Sequence, residues 1–142
     1  MDKSREYIKM CDLAKEIQEC HEWDDGDLFY DPVYTQNHIG LYCPDCHGQE
    51  YPFKADDKDH TWLPRQCQLH DMMDDYGVYF WSLCNHPEGW ICFCNDIAEE
   101  QFYPREEKVI YDGDYSDSPE KALIRMVMTV KYNKTWTGAE WK

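Results

Sequence analysis

The chain contains no apolar run of the roughly 18–20 residues needed to cross a bilayer. Its first six residues are largely charged and include no apolar signal region. We therefore expect a cytoplasmic protein, neither secreted nor bound to a membrane.

Basic residues are also scarce. Lys and Arg total 14 against 29 Asp and Glu, which gives a formal net charge of −15. Proteins that bind a nucleic-acid backbone, or an anionic membrane, do so with clustered Lys and Arg. The charge therefore argues against both functions. It favours solubility or a partner that is itself basic.

The common catalytic motifs are missing as well. The sequence has no phosphate-binding Gly loop, no G-x-S-x-G elbow and no H-E-x-x-H pair. Six His among 29 acids give Asp–His sequence neighbours by chance alone. The sequence favours a binding protein over an enzyme, and we assign no catalytic residues.

What the chain does contain is enough apolar material for a core. Its 142 residues fit a single domain, 1–142, and 42% are hydrophobic and 15% aromatic, which excludes a disordered tail. Apolar residues at steps of three and four predict a helix over residues 3–20. A second helix is predicted to open at residues 62–66, with Leu69, Met72 and Met73 facing inward.

Several segments between the predicted helices are rich in strand-forming residues. Residues 28–42 are predicted to be extended, residues 78–84 and 90–94 to form a hairpin, and residues 108–111 to add a strand. Ser118 and Pro119 predict the start of a C-terminal helix. The expected fold is α+β: a small, mostly antiparallel sheet with N-terminal, middle and C-terminal helices.

The eight cysteines are expected in a reducing compartment, as core residues or metal ligands. Cys43-x-x-Cys46 resembles half of a zinc knuckle, because such a turn aims two thiolates at one ion. Cys92 and Cys94 would point to one face of a strand and supply the other half. Cys84 and His86 are the alternative pair. The competing interpretation is that these thiols are buried as small hydrophobes.

Acidic residues occur in clusters, and two interpretations stay open. The clusters form a solvated face that keeps the protein soluble, or their carboxylates stand in for phosphates and occupy a basic nucleic-acid channel. The residues predicted to bind such a partner are Asp24, Asp25, Asp27, Asp31, Asp71, Asp74 and Asp75.

Three parts of the chain resemble small uncharacterised accessory proteins of phages and prophages of Gram-positive bacteria. The matching segments are SREYIKMC (4–11) with AKEIQ (14–18), WLPRQ (62–66) with QL (68–69), and PEKAL (119–123) with KYNKTW (131–136). The resemblance implies action in the bacterial host cytoplasm as an inhibitor of host defence, as anti-CRISPR proteins are. It carries over no site residues, and the Cys43–Cys46 turn is not part of it.

Three functional hypotheses follow. The first is a phage-encoded acidic protein that inhibits a nucleic-acid-handling host protein, such as a CRISPR effector, by mimicking nucleic acid without binding it. The second is a zinc-stabilised adaptor without catalytic activity. The third is a protein that sequesters a small molecule.

Overall fold

The computed structural model describes residues 1–32, 38–42, 60–75, 80–96 and 108–142. Its contacts divide into two compact units. We call Lys3–Arg65 the N-terminal unit, and Met1–Asp2 with Gln66–Lys142 the C-terminal unit. Each is described by itself, and the expectation of one domain stays a prediction.

The N-terminal unit opens with two helices where one was predicted. They are α1 (Arg5–Leu13) and α2 (Lys15–Glu19), separated at Ala14, where ψ turns to 66°. The side chain of Gln18 explains how the break is tolerated. Its amide donates to the Cys11 carbonyl at 3.1 Å, which satisfies an acceptor near the end of α1. The apolar face of the predicted helix is still buried, with Tyr7, Met10, Cys11, Ala14 and Ile17 all fully inaccessible.

A three-stranded antiparallel sheet completes this unit. The central strand β1 (Leu28–Asp31) lies between β2 (His38–Leu41) and β3 (Thr61–Trp62). The helix predicted to open at residues 62–66 therefore begins only at Gln66, because Thr61 and Trp62 form a strand. Trp62 pairs with Phe29 of β1, and its N–H donates to the Gln18 side chain at 2.8 Å. These long-range bonds outweigh the local preference of Pro64 for a helix start.

The C-terminal unit contains the second sheet, an antiparallel meander in the order β4-β5-β6. The strands are β4 (Phe80–His86), β5 (Gly89–Asp96) and β6 (Lys108–Asp112). The predicted hairpin is confirmed, but its turn is tighter, because His86 already pairs with Gly89. Residues 78 and 79 of the predicted strand lie outside the described residues.

Two helices belong to the same unit. In α3 (Gln66–Asp75), Leu69 and Met73 are buried as predicted, while Met72 is half-buried. The helix α4 (Pro119–Tyr132) begins as predicted, because the Ser118 side chain accepts from the Lys121 N–H. The carboxylate of Asp2 accepts a hydrogen bond from the Ser118 hydroxyl and lies 3.8 Å from the Lys121 ammonium group.

The α+β class is thus confirmed, with the antiparallel strands divided between two small sheets. Among the described residues, no helix combines the length and apolar character needed to cross a membrane.

Candidate functional site

The acidic turn before β1, residues 23–27, is tied to the end of the first sheet. Gly26 takes φ +82°, a conformation that a residue with a side chain rarely adopts. Its N–H donates to the Tyr42 carbonyl at 2.8 Å, and the Tyr42 N–H donates to the Asp27 carbonyl at 2.7 Å. These bonds continue the β1–β2 ladder, so the turn has a fixed place at the sheet edge.

Asp27 lies inside this turn. It is fully buried, and its Oδ2 accepts the Asp24 N–H at 2.8 Å. The same oxygen lies 2.8 Å from His21 Nε2, and Oδ1 lies 4.0 Å from the Arg65 guanidinium. Both oxygens of its carboxylate contact residues of the N-terminal unit. Asp27 therefore anchors the acidic turn and is not exposed to a partner.

His21 completes the anchor. Burial lowers the pKa of His21 from 6.5, and this effect outweighs the opposing influence of the Asp27 carboxylate. The ring is therefore neutral at pH 7 and donates its Nε2–H to Asp27. The ring is also fixed on one face, because it stacks on the indole of Trp62.

Asp31 is also withdrawn from the surface. It is 8% exposed, and its Oδ2 lies 3.6 Å from His60 Nε2. Asp24 and Asp25 are exposed. The structure thus divides the four acids predicted in this segment into an outer pair, Asp24 and Asp25, and an inner pair, Asp27 and Asp31.

The second predicted cluster lies on α3 in the C-terminal unit. Asp71 and Asp74 are exposed and three residues apart, so they share one face of the helix. The side chain of Asp75 lies outside the described residues. Burial lowers the pKa of His70, next to this pair in sequence, against the opposing influence of Asp74 and Asp71.

The predicted zinc ligands cannot be assembled from the described residues. Cys43 and Cys46 lie outside them. Cys92 and Cys94 are buried on the same side of β5, while Cys84 and His86 are exposed on β4. Burial, with a smaller contribution from Cys84, raises the pKa of Cys92 to about 12. No cluster of three or more His, Cys, Asp or Glu suited to a metal occurs in the part of the chain that the structure describes. The zinc site stays a prediction.

Sequence reasoning missed a groove between α1 and the first sheet. Lys3, Arg5 and Lys9 contribute to its lining. The only sequence signal was these three bases within seven residues of an otherwise acidic chain. In the sequence they read as the polar side of an amphipathic helix, because the opposite wall comes from strands distant along the chain.

Comparisons with family models, with curated proteins and with solved structures find no match for this chain.

Proposed function

We propose that the protein is a binding protein, without catalytic activity, that docks an acidic surface onto a basic nucleic-acid-binding protein and blocks it. The observation that carries this proposal is the construction of the acidic turn. Asp24 and Asp25 are exposed on a turn whose backbone is bonded to the buried Asp27 carboxylate and to the edge of the sheet.

Pre-organisation is the first physical reason. A flexible acidic loop loses conformational entropy when it binds, which reduces the affinity. Here the Asp24 N–H is fixed by the side chain of Asp27, and the Asp25 N–H is bonded to the Asp24 side chain at 2.8 Å. The backbone of both residues and the Asp24 carboxylate are therefore held in place before a partner arrives. A surface that served solubility alone would need no such support.

The overall charge is the second reason. A net charge of −15 on 142 residues raises the rate of encounter with a basic partner, as electrostatic steering does generally. The exposed pair Asp71 and Asp74 adds to the negative surface of the C-terminal unit. The resemblance to phage accessory proteins extends the proposal to inhibition of a defence protein in a bacterial host, with carboxylates in the place of phosphates.

The test begins with affinity capture of the tagged protein from bacterial lysate, with nuclease present, at low and at high salt. The expected partner is a basic nucleic-acid-binding protein that is captured at low salt and lost at high salt. Its dissociation constant is then measured for the wild type and for the variant Asp24→Lys/Asp25→Lys. We expect the variant to bind about tenfold more weakly or worse.

The matched control is Asp114→Lys/Glu140→Lys, which makes the same charge change at exposed positions of the C-terminal unit. We expect it to lose much less affinity than the turn variant. Equal losses would mean that only net charge matters, and the turn would have no specific role. Failure to capture any basic partner at low salt would overturn the proposed function itself.

A further inference from the structure

The groove of the N-terminal unit has a volume of about 500 Å³. Sites for small molecules typically measure 300–1,000 Å³. One wall is a face of α1, formed by residues three and four apart: Arg5, Ile8, Lys9 and Asp12. The opposite wall comes from the three strands of the first sheet.

Positive charge is concentrated at one end. Lys3 and Arg5 flank the start of α1, where the partial positive charge of the helix N-terminus already lies. Neither base takes part in an ion pair with any residue that the structure describes. Lys9 follows Arg5 by one helical turn, so a third cation lies on the same wall of the groove. An anion bound there would interact favourably with these cations and with the helix terminus.

The middle of the groove is apolar and partly flat. Ile8 of α1 and Ile39 of β2 line it, together with Tyr30 and Pro32. An aromatic ring next to aliphatic side chains suits a planar ligand, which gains both buried area and ring contact.

The far end is a hydrogen-bond acceptor. Asp12 Oδ1 accepts from the Thr61 hydroxyl at 3.2 Å and lies 3.4 Å from the Lys15 ammonium group. Its second oxygen remains available for an N–H of a ligand, since a carboxylate accepts several bonds. Arg5 and Asp12 are seven residues apart, which places them about 10 Å apart along the helix axis.

The groove thus has cations at one end, apolar residues in the middle and a hydrogen-bond acceptor at the other end. From this arrangement we infer that it binds a small phosphorylated ring compound of the nucleoside monophosphate class. The phosphate lies at Lys3, Arg5 and Lys9, the planar ring lies against Tyr30, and an amino group of the ring donates to Asp12. This site uses the basic residues of the chain, so it goes beyond the acidic surface of the proposed function and does not depend on it.

The experiment is a titration of the isotope-labelled full chain with AMP, followed by amide NMR shifts. Adenosine and inorganic phosphate are titrated separately, because each supplies one half of the ligand. We expect saturable shifts in α1, β1 and β3 with AMP, and at least tenfold weaker binding of either half. Absence of saturable shifts with AMP, or shifts located outside this groove, would overturn the inference. Phosphate binding as tightly as AMP would show that the ring is not recognised and would also overturn it.

The variant Arg5→Glu/Lys9→Glu separates loss of the site from loss of the fold. Arg5→Glu places an acid in the first turn of α1, where it is favourable, and Lys9→Glu exchanges residues of similar helix propensity, so the variant is expected to keep α1 and a native spectrum. It should bind AMP at least tenfold more weakly. The control Lys131→Glu/Lys142→Glu makes the same charge change in the C-terminal unit and should bind AMP as the wild type does. Equal weakening in both variants would contradict a local site.

Discussion

The imidazole of His21 lies flat on the indole of Trp62, with ring centroids 3.5 Å apart and ring planes 5° apart. His21 comes from the segment after α2, whereas Trp62 belongs to β3, so the stack joins distant parts of the N-terminal unit. On its edge the imidazole also contacts Asp27, which anchors the acidic turn. The protonation of His21 is thereby linked to the stability of the acidic turn, residues 23–27, on which the proposed function rests.

The first prediction concerns pH. Because the pKa of His21 is below 6.5 in the folded protein, the unfolded chain binds more protons as the pH falls through 6.5. The contribution of His21 to stability is therefore complete above pH 6.5 and decreases as the pH drops toward the folded pKa. Urea unfolding at about pH 7.5 and about pH 5.5 should show a smaller loss of stability on acidification in His21→Gln than in the wild type.

The control is His86→Gln, since His86 is exposed at the β4–β5 hairpin. This variant should keep the acid sensitivity of the wild type. An unchanged pH dependence in His21→Gln would contradict the link between His21 and stability.

The second prediction concerns the anchor itself. Asp27→Ala leaves the Asp24 N–H and the His21 Nε2–H without their acceptor in a buried site. Each unsatisfied group costs about 1–3 kcal/mol, so we expect a loss of about 3 kcal/mol in the free energy of unfolding. Asp27→Asn keeps one acceptor and should lose less. Chemical unfolding measures both, with the exposed Asp25→Ala as a control expected to change stability by less than about 0.5 kcal/mol.

The third prediction compares two glycines with positive φ in the C-terminal unit. A Cβ on Gly89 would lie 2.5 Å from the Ser116 carbonyl oxygen, whereas a Cβ on Gly138 would meet no atom within 4 Å. Gly138→Ala therefore bears only the backbone strain, about 1 kcal/mol. Gly89→Ala should cost about 1–3 kcal/mol more, because it also disrupts the Trp90–Ser116 bridge. Equal thermal unfolding midpoints for the two variants would contradict this assignment.

The fourth prediction is the zinc site. Native mass spectrometry of freshly reduced protein supplied with zinc should show a single ion per chain. Cys43→Ser/Cys46→Ser should abolish the bound mass, and the exposed Cys67→Ser should leave it unchanged. Detection of only the metal-free wild type would end the zinc hypothesis.

Local signals predicted much of the fold. Ser118 and Pro119 marked the start of α4 correctly, because capping depends on residues adjacent in sequence. The β4–β5 hairpin was equally readable from its strand pattern and turn residues. The break at Ala14 could not be predicted from local sequence. It is stabilised by Gln18, whose side chain also bonds Trp62, 44 residues away. Trp62 was misassigned for the same reason.

The candidate site was less predictable than the fold. Composition located the acids of residues 24–31 but could not separate the exposed Asp24 from the buried Asp27. That separation depends on His21 and Arg65, which meet Asp27 only after the unit folds. The basic groove went unpredicted because its walls are distant in sequence.

The contact between Asp2 and the start of α4 has a consequence for synthesis. The C-terminal unit joins residues that the ribosome makes 116 positions apart, whereas the N-terminal unit comes from one continuous stretch. All of Lys3–Arg65 is therefore synthesised before Ser118 and Lys121, the residues that Asp2 contacts. Closing so long a loop is slow relative to local contacts. We expect the acidic turn and the groove to form first on the nascent chain, and the C-terminal unit to form only after α4 has been made.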